Sequence, residues 1–232
     1  MQNSESGERT VQIPPIGLTG DLVVPPNARA AVLFAHGGGS SRFSSRNRYV
    51  ARVLQQAGFA TLLLDLLTAA EEAVDDRTGQ LRFDIGLLAD RLAQATDWLH
   101  RNPSTSALPI AYFGASTGGG AALVAAARLG GAVSAVVSRG GRPDLAGPAL
   151  PEVAAPVLLI VGGNDHVVIE MNREALEQLR CEKKLEIVPG ATHLFEEPGT
   201  LEQVAKLAAE WFVRHVSAPA PIAATSGRNI GA

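Results

Sequence analysis

Hydrophobic and polar positions alternate along this chain between two kinds of segment: short apolar runs, and longer stretches in which apolar residues recur every three or four positions. Ala30 to Ala35, Ile110 to Phe113 and Val157 to Val161 are unbroken, while Phe59 to Leu64, Val133 to Val137 and Leu185 to Val188 each admit one polar residue, Thr61, Ser134 and Glu186; all are too short for helices. Such runs are expected of strands buried on both faces of a parallel sheet. Between them lie helical stripes. Val50, Val53, Leu54 and Ala57 share one face, with Ser45 as a cap and Gly58 as a stop. Leu81, Ile85, Leu88, Leu92 and Leu99 form a second stripe, a small-residue helix runs from about Ser116 to Leu129, another reaches about Leu179, and a last one spans about Leu201 to Val213. At the start, Thr10 to Ile13 and Leu18 to Val24 are parted by Pro14-Pro15-Ile16-Gly17 and closed by Pro25-Pro26, which predicts an antiparallel hairpin.

Strands alternating with amphipathic helices predict an α/β domain: a mostly parallel sheet of about eight strands with helices on both faces. The domain is expected over residues 1–216, followed by a flexible tail, 217–232, rich in Ala, Pro, Ser and Gly. The chain's 232 residues, 46% hydrophobic, suffice for one sizeable core. A formal charge of −3 with interspersed signs argues against nucleic acid as a partner. The single cysteine, Cys181, cannot form an intramolecular disulfide, which fits a reducing compartment. Met1 to Arg9 lacks the order of a secretory signal, and no apolar run is long enough to span a membrane. A cytoplasmic protein without membrane association is expected; oligomeric state is open, a homodimer included.

In open parallel sheets, chemistry gathers at the carboxyl ends of the strands. Gly114-Ala115-Ser116-Thr117-Gly118 follows one predicted strand and opens a helix, the context of a nucleophile elbow. A serine hydroxyl needs a base to attack at neutral pH, usually a histidine oriented by a carboxylate. Asp165 and His193 both lie just past strands, in Gly162-Gly163-Asn164-Asp165-His166 and Gly190-Ala191-Thr192-His193-Leu194-Phe195. The chain order is Ser, Asp, His. Read blandly, these would be a capping serine, a turn aspartate and a loop histidine; their joint placement favours a catalytic triad. His36-Gly37-Gly38-Gly39, after the third strand, is where backbone N–H groups would hold an oxyanion. Thr117 and Gly38 are the expected donors, with Gly39 as substitute for the latter.

Taken together, these segments resemble the α/β-hydrolase superfamily and, within it, the dienelactone hydrolase-like group, from Val32 to Phe212. The resemblance rests on His36-Gly37-Gly38-Gly39-Ser40-Ser41-Arg42, on Leu64-Asp65, and on the elbow, aspartate and histidine above. It implies a carboxylesterase working through an acyl-enzyme on small-molecule esters. Dienelactone hydrolases proper use cysteine at the elbow, whereas this chain has Ser116, so a general ester substrate is expected. The short connection between Val133 and Val157 leaves no room for a large cap domain. No metal and no cofactor are implied, since neither a Walker loop nor a dinucleotide-binding glycine pattern is present.

Other candidates carry two readings each. His36, Arg139 and Arg142 are possible substrate contacts, and either arginine would suit a carboxylate or an internal salt bridge. Arg42, Arg46 and Arg48 form a basic cluster that would attract anions or simply face water. Asp65 is expected to tie its loop through backbone N–H groups. His166 reads as a surface residue, His100 and His215 as helix-end cations. The rival functions are acyl transfer or amide and peptide cleavage by the same triad, and a non-catalytic binding protein of the same fold.

Overall fold

A computed structural model describes residues 7–216; the expected tail lies outside the described residues. Eight strands form one sheet: β1 (Arg9–Ile13), β2 (Leu18–Val23), β3 (Ala31–Ala35), β4 (Ala60–Leu64), β5 (Ile110–Ala115), β6 (Val133–Arg139), β7 (Val157–Gly162) and β8 (Lys183–Val188). Their order is β1-β2-β4-β3-β5-β6-β7-β8. β1 and β2 form the expected hairpin, β2 runs antiparallel to β4, and the strands from β4 across to β8 are parallel. β3 to β7 are buried along nearly their whole length, which is why their sequences are apolar without alternation. Only the edge strands β1 and β8 carry exposed positions.

The described residues form six α-helices, α1 (Ser45–Gln56), α2 (Ala69–Thr78), α3 (Ile85–Arg101), α4 (Thr117–Leu129), α5 (His166–Gln178) and α6 (Thr200–His215), and all but α2 pack on the sheet. Val50 and Leu54 of α1 and Val204, Ala208 and Phe212 of α6 pack on one face against Phe34, Phe113 and Ile160. Leu88 and Leu92 of α3, Leu123 of α4 and Ala175 of α5 pack on the other against Leu33, Leu62, Tyr112 and Leu159. At roughly 1.5–3 kcal/mol for each fully buried large apolar side chain, these two layers fix the sheet, and with it the strand ends that carry the polar groups. Among the described residues no separate cap domain stands over those ends.

Three local expectations differ from the structure. Ser44, not Ser45, caps α1, accepting from Asn47 N. Asp84 caps α3 by accepting from Leu87 N and so separates Leu81–Phe83, a single 3-10 turn, from the stripe that continues beyond it. The segment after Asp65, to which no element was assigned, contains α2, held by a reciprocal capping box between Thr68 and Glu71 and closed by Gly79 at φ 65°. No described helix is long and apolar enough to cross a membrane.

Candidate active site

β5 ends at Ala115 and α4 begins at Thr117, so Ser116 alone makes the turn, at φ 52° and ψ −124°. A side chain held there costs about 1–3 kcal/mol and must be secured by its surroundings. The Ser116 N–H donates to Arg139 O at 3.2 Å, and its carbonyl accepts from Gly119 N at 2.9 Å and Arg142 N at 3.0 Å. The glycines make the crossing possible. A Cβ on Gly114 would lie 2.6 Å from Gly118 O, and one on Gly118 would lie 2.3 Å from Ala35 O.

His193 and Asp165 meet at this place. Nδ1 of His193 lies 2.7 Å from Oδ2 of Asp165, which fixes the proton on Nδ1 and leaves Nε2 as the basic nitrogen. Their loops are cross-tied: Asn164 N donates to Ala191 O at 2.9 Å, Asn164 Nδ2 donates to Gly190 O at 2.9 Å, and Thr192 N donates to Glu197 Oε2 at 3.0 Å. Hydrogen bonding from the Thr192 side chain, and then from its N–H, holds the Glu197 carboxyl below its ordinary range. Gly140 packs against the imidazole, where a Cβ would come 3.5 Å from Nδ1. Ser116 and His193 line one cavity of about 210 Å³ with Gly37, Gly38, Arg46, Asn47 and Arg139.

The His36–Gly39 turn lies against the elbow, but not all of it as expected. His36 is buried; Nε2 accepts from Leu66 N at 3.1 Å, and Nδ1 donates to Gly37 O at 2.9 Å. Burial pushes its pKa down. With both nitrogens taken, His36 ties β3 to the loop after β4 and has none left for a substrate. Gly38 N–H donates to Thr117 Oγ1 at 2.9 Å rather than into open space, because that hydroxyl opens the neighbouring helix. The N–H of Thr117 itself is the first of α4, a position without an intrahelical acceptor. Arg82 backs the turn: its stem packs on Gly38, and its Nε donates to the buried Asp75 at 2.6 Å.

The arginines separate cleanly. Arg142 forms two bonds with Asp144, at 2.8 and 2.7 Å, so it is committed to an internal salt bridge. Arg42 pairs with Asp21 and Asp65, and its backbone N–H donates to Asp65, so that carboxylate fastens the loop after β3 rather than the loop after its own strand. Arg48 pairs with Glu8 and Asp21. Among the described residues Arg46 reaches only Glu196, at 3.2 Å, and it lines the cavity. Arg139 is 7% exposed and has no ion pair among the described residues. His166 is exposed at the start of α5. Sequence reasoning missed Asn47, Arg82 and Glu197; of these only Arg82, placed after a capping-box helix, had a readable signal.

Residues 18–217 match the model of the Dienelactone hydrolase family. The crystal structure of a dienelactone hydrolase from Anabaena variabilis ATCC 29413 is 64% identical, with a TM-score of 0.89 over 90% of this chain and 98% of that one. Est1E from Butyrivibrio proteoclasticus shares the fold at 18% identity, with a TM-score of 0.74 over 91% of this chain and 99% of its own. Two curated proteins of Mycobacterium tuberculosis, provisionally named phosphoribosyl transferases, are 60% identical over 207 residues, 89% of this chain. The match takes in 46% of their length, so the chain spans less than half of these relatives.

Proposed function

The chain belongs to the dienelactone hydrolase family, and from that premise we propose that it hydrolyses carboxylic esters of small molecules through Ser116, His193 and Asp165. One observation carries the reading: a histidine locked at 2.7 Å to a carboxylate shares a cavity with a serine held at positive φ on a strand-to-helix turn. Nε2 of His193 takes the proton from Ser116 Oγ as that oxygen attacks the acyl carbon, and Asp165 stabilises the resulting imidazolium. The oxyanion is held by the Thr117 N–H and, since the Gly38 N–H is spent on Thr117 Oγ1, by the Gly39 N–H of the same turn; each such donor is worth about 2.7–4 kcal/mol. The imidazolium protonates the leaving alcohol, and a water activated by the same nitrogen releases the acid.

The phosphoribosyl transferase name of the mycobacterial relatives belongs to proteins twice as long and gives this site no role. The test pairs a fluorophosphonate probe with a panel of matched ester, thioester and amide substrates. Labelling at Ser116 that Ser116→Ala abolishes, together with hydrolysis fastest on the oxygen ester, is the expected result. Folded protein that neither takes the label nor cleaves any member of the panel would overturn the proposal; faster thioester or amide cleavage would reassign the substrate class.

A further inference from the structure

The peptide unit joining Gly141 to Arg142, just past β6, is hydrogen-bonded on both sides. Its carbonyl, Gly141 O, accepts from Asn172 Nδ2 at 3.0 Å, and its N–H, on Arg142, donates to Ser116 O at 3.0 Å. Ser116 O in turn belongs to the peptide unit whose N–H is that of Thr117, the first oxyanion donor. Across a trans peptide the C=O and the N–H point in opposite directions and cannot turn independently. One line of hydrogen bonds therefore runs from the Asn172 side chain, through two rigid planes, to the place where the acyl oxygen becomes negative. Gly119 N adds a bond to Ser116 O from within α4, at 2.9 Å.

The line has little room to move. A Cβ on Gly141 would come 1.8 Å from Ser138 Oγ, and one on Gly119 would come 3.1 Å from Gly141 Cα. Its far end is buried deepest. Asn172 lies on α5, 0% exposed, in a stripe with Val168, Ile169 and Ala175. Its Nδ2 also donates to Val168 O at 2.8 Å, and its Oδ1 is sealed without a partner among the described residues. Two carbonyl acceptors identify that end of the amide as the nitrogen. An apolar side chain would continue the α5 stripe without burying an unpaired amide oxygen, so helix packing alone does not call for Asn172. Its donor does more at the other end of the line: linked hydrogen bonds polarise one another, and an oxyanion donor acts through being oriented before charge develops.

Resting on the hydrolase reading above, we propose that Asn172 is a positioning residue for ester cleavage, which touches no substrate but orients and polarises the Thr117 N–H through the Gly141–Arg142 and Ser116–Thr117 peptides. Removing an oxyanion donor outright costs about 10²- to 10³-fold in kcat, and loosening one from two peptides away should cost less, about tenfold. Asn172→Leu keeps the bulk and removes the donor. In a pH-stat on methyl valerate, well below the variant's melting temperature, it should lower kcat about tenfold and leave KM within about twofold, as for an interaction made only in the transition state. Binding of trifluoromethyl butyl ketone, which forms a tetrahedral adduct with Ser116, should weaken by about the same tenfold factor.

A folded Asn172→Leu protein whose kcat stays within about twofold of the wild type, or whose loss lies in KM alone, would overturn the proposal. Should the variant not fold, the wild type decides, through NMR of the Asn172 side-chain NH2 before and after a fluorophosphonate modifies Ser116. The phosphonyl oxygen then takes the place of the oxyanion, the bonds along the line tighten, and the amide protons should move downfield; signals that stay in place would overturn the proposal while leaving the hydrolase intact. If Ser116 takes no fluorophosphonate and no ester is cleaved, the hydrolase reading itself has failed and this inference with it.

Discussion

Replacing Gly118 by alanine probes the point at which fold and site are one object. The new Cβ would sit 2.3 Å from Ala35 O, 2.5 Å from His36 O and 2.7 Å from Ala35 C. A comfortable carbon-to-oxygen contact is about 3.3 Å, so the end of β3 and the start of the glycine turn must withdraw by about 1 Å. None of the three contacts is the tip of a side chain that can rotate away. Overpacking typically costs about 1–3 kcal/mol, and a clash with backbone on a central strand belongs at the top of that range, about 3 kcal/mol. For a domain of this size, at roughly 2–4 °C per kcal/mol, the melting temperature should fall by about 6–12 °C. Because the displaced turn supplies the proposed second oxyanion donor, a shift of about 1 Å should also cost about 100-fold in kcat. Gly131→Ala is the control: nothing lies within 4 Å of its Cβ, so stability should stay within about 0.5 kcal/mol. Thermal melts followed by circular dichroism, with ester hydrolysis on the same samples, read both quantities. If Gly118→Ala melts within a degree of the wild type and turns over normally, the strand-to-turn packing described above is wrong.

Two further outcomes follow from the same geometry. Asp165→Asn should leave the fold intact but disfavour the tautomer that the 2.7 Å bond selects, lowering kcat by about 10³- to 10⁴-fold on steady-state ester kinetics; a loss under tenfold would remove Asp165 from the mechanism. His36 is held neutral by burial, with its pKa lowered from 6.5, so below that pH the unfolded chain binds a proton that the native state refuses. Its contribution is full above pH 6.5 and is lost as pH falls toward the native value, at up to about 1.4 kcal/mol per pH unit. Urea unfolding between pH 7 and 5 should show that slope, and His36→Gln should flatten it.

Much of this was legible in the residues because the signals are local or periodic. Unbroken runs such as Ile110 to Phe113 predicted strands, since a strand covered on both faces has no polar side to alternate with. Ser116, Asp165 and His193 could be named because strand ends in a parallel sheet share one edge. What stayed hidden depends on distance across the fold. Arg139 and Arg142 are three residues apart and alike in sequence, yet among the described residues one is paired with Asp144, two positions on, and the other is buried at the end of β6 without a counter-ion. The direction of the Gly38 N–H depends on a hydroxyl 79 residues away. α2 was missed because its four-residue capping signal is followed by little amphipathic stripe, so its ends were better marked than its face.

The backbone of Ser116 is fastened at two points to the chain leaving β6, through Arg139 O and Arg142 N. Those points are only three residues apart, so the stretch between them has one permissible length: an added or deleted residue would release one fastening or swing the arginine out of the wall. At the opposite end of the same strand, a Cβ added at Gly130 or Gly131 would meet nothing within 4 Å, and that connection can absorb inserted residues. Natural or engineered variation in chain length should therefore collect at one end of this strand and be barred from the other.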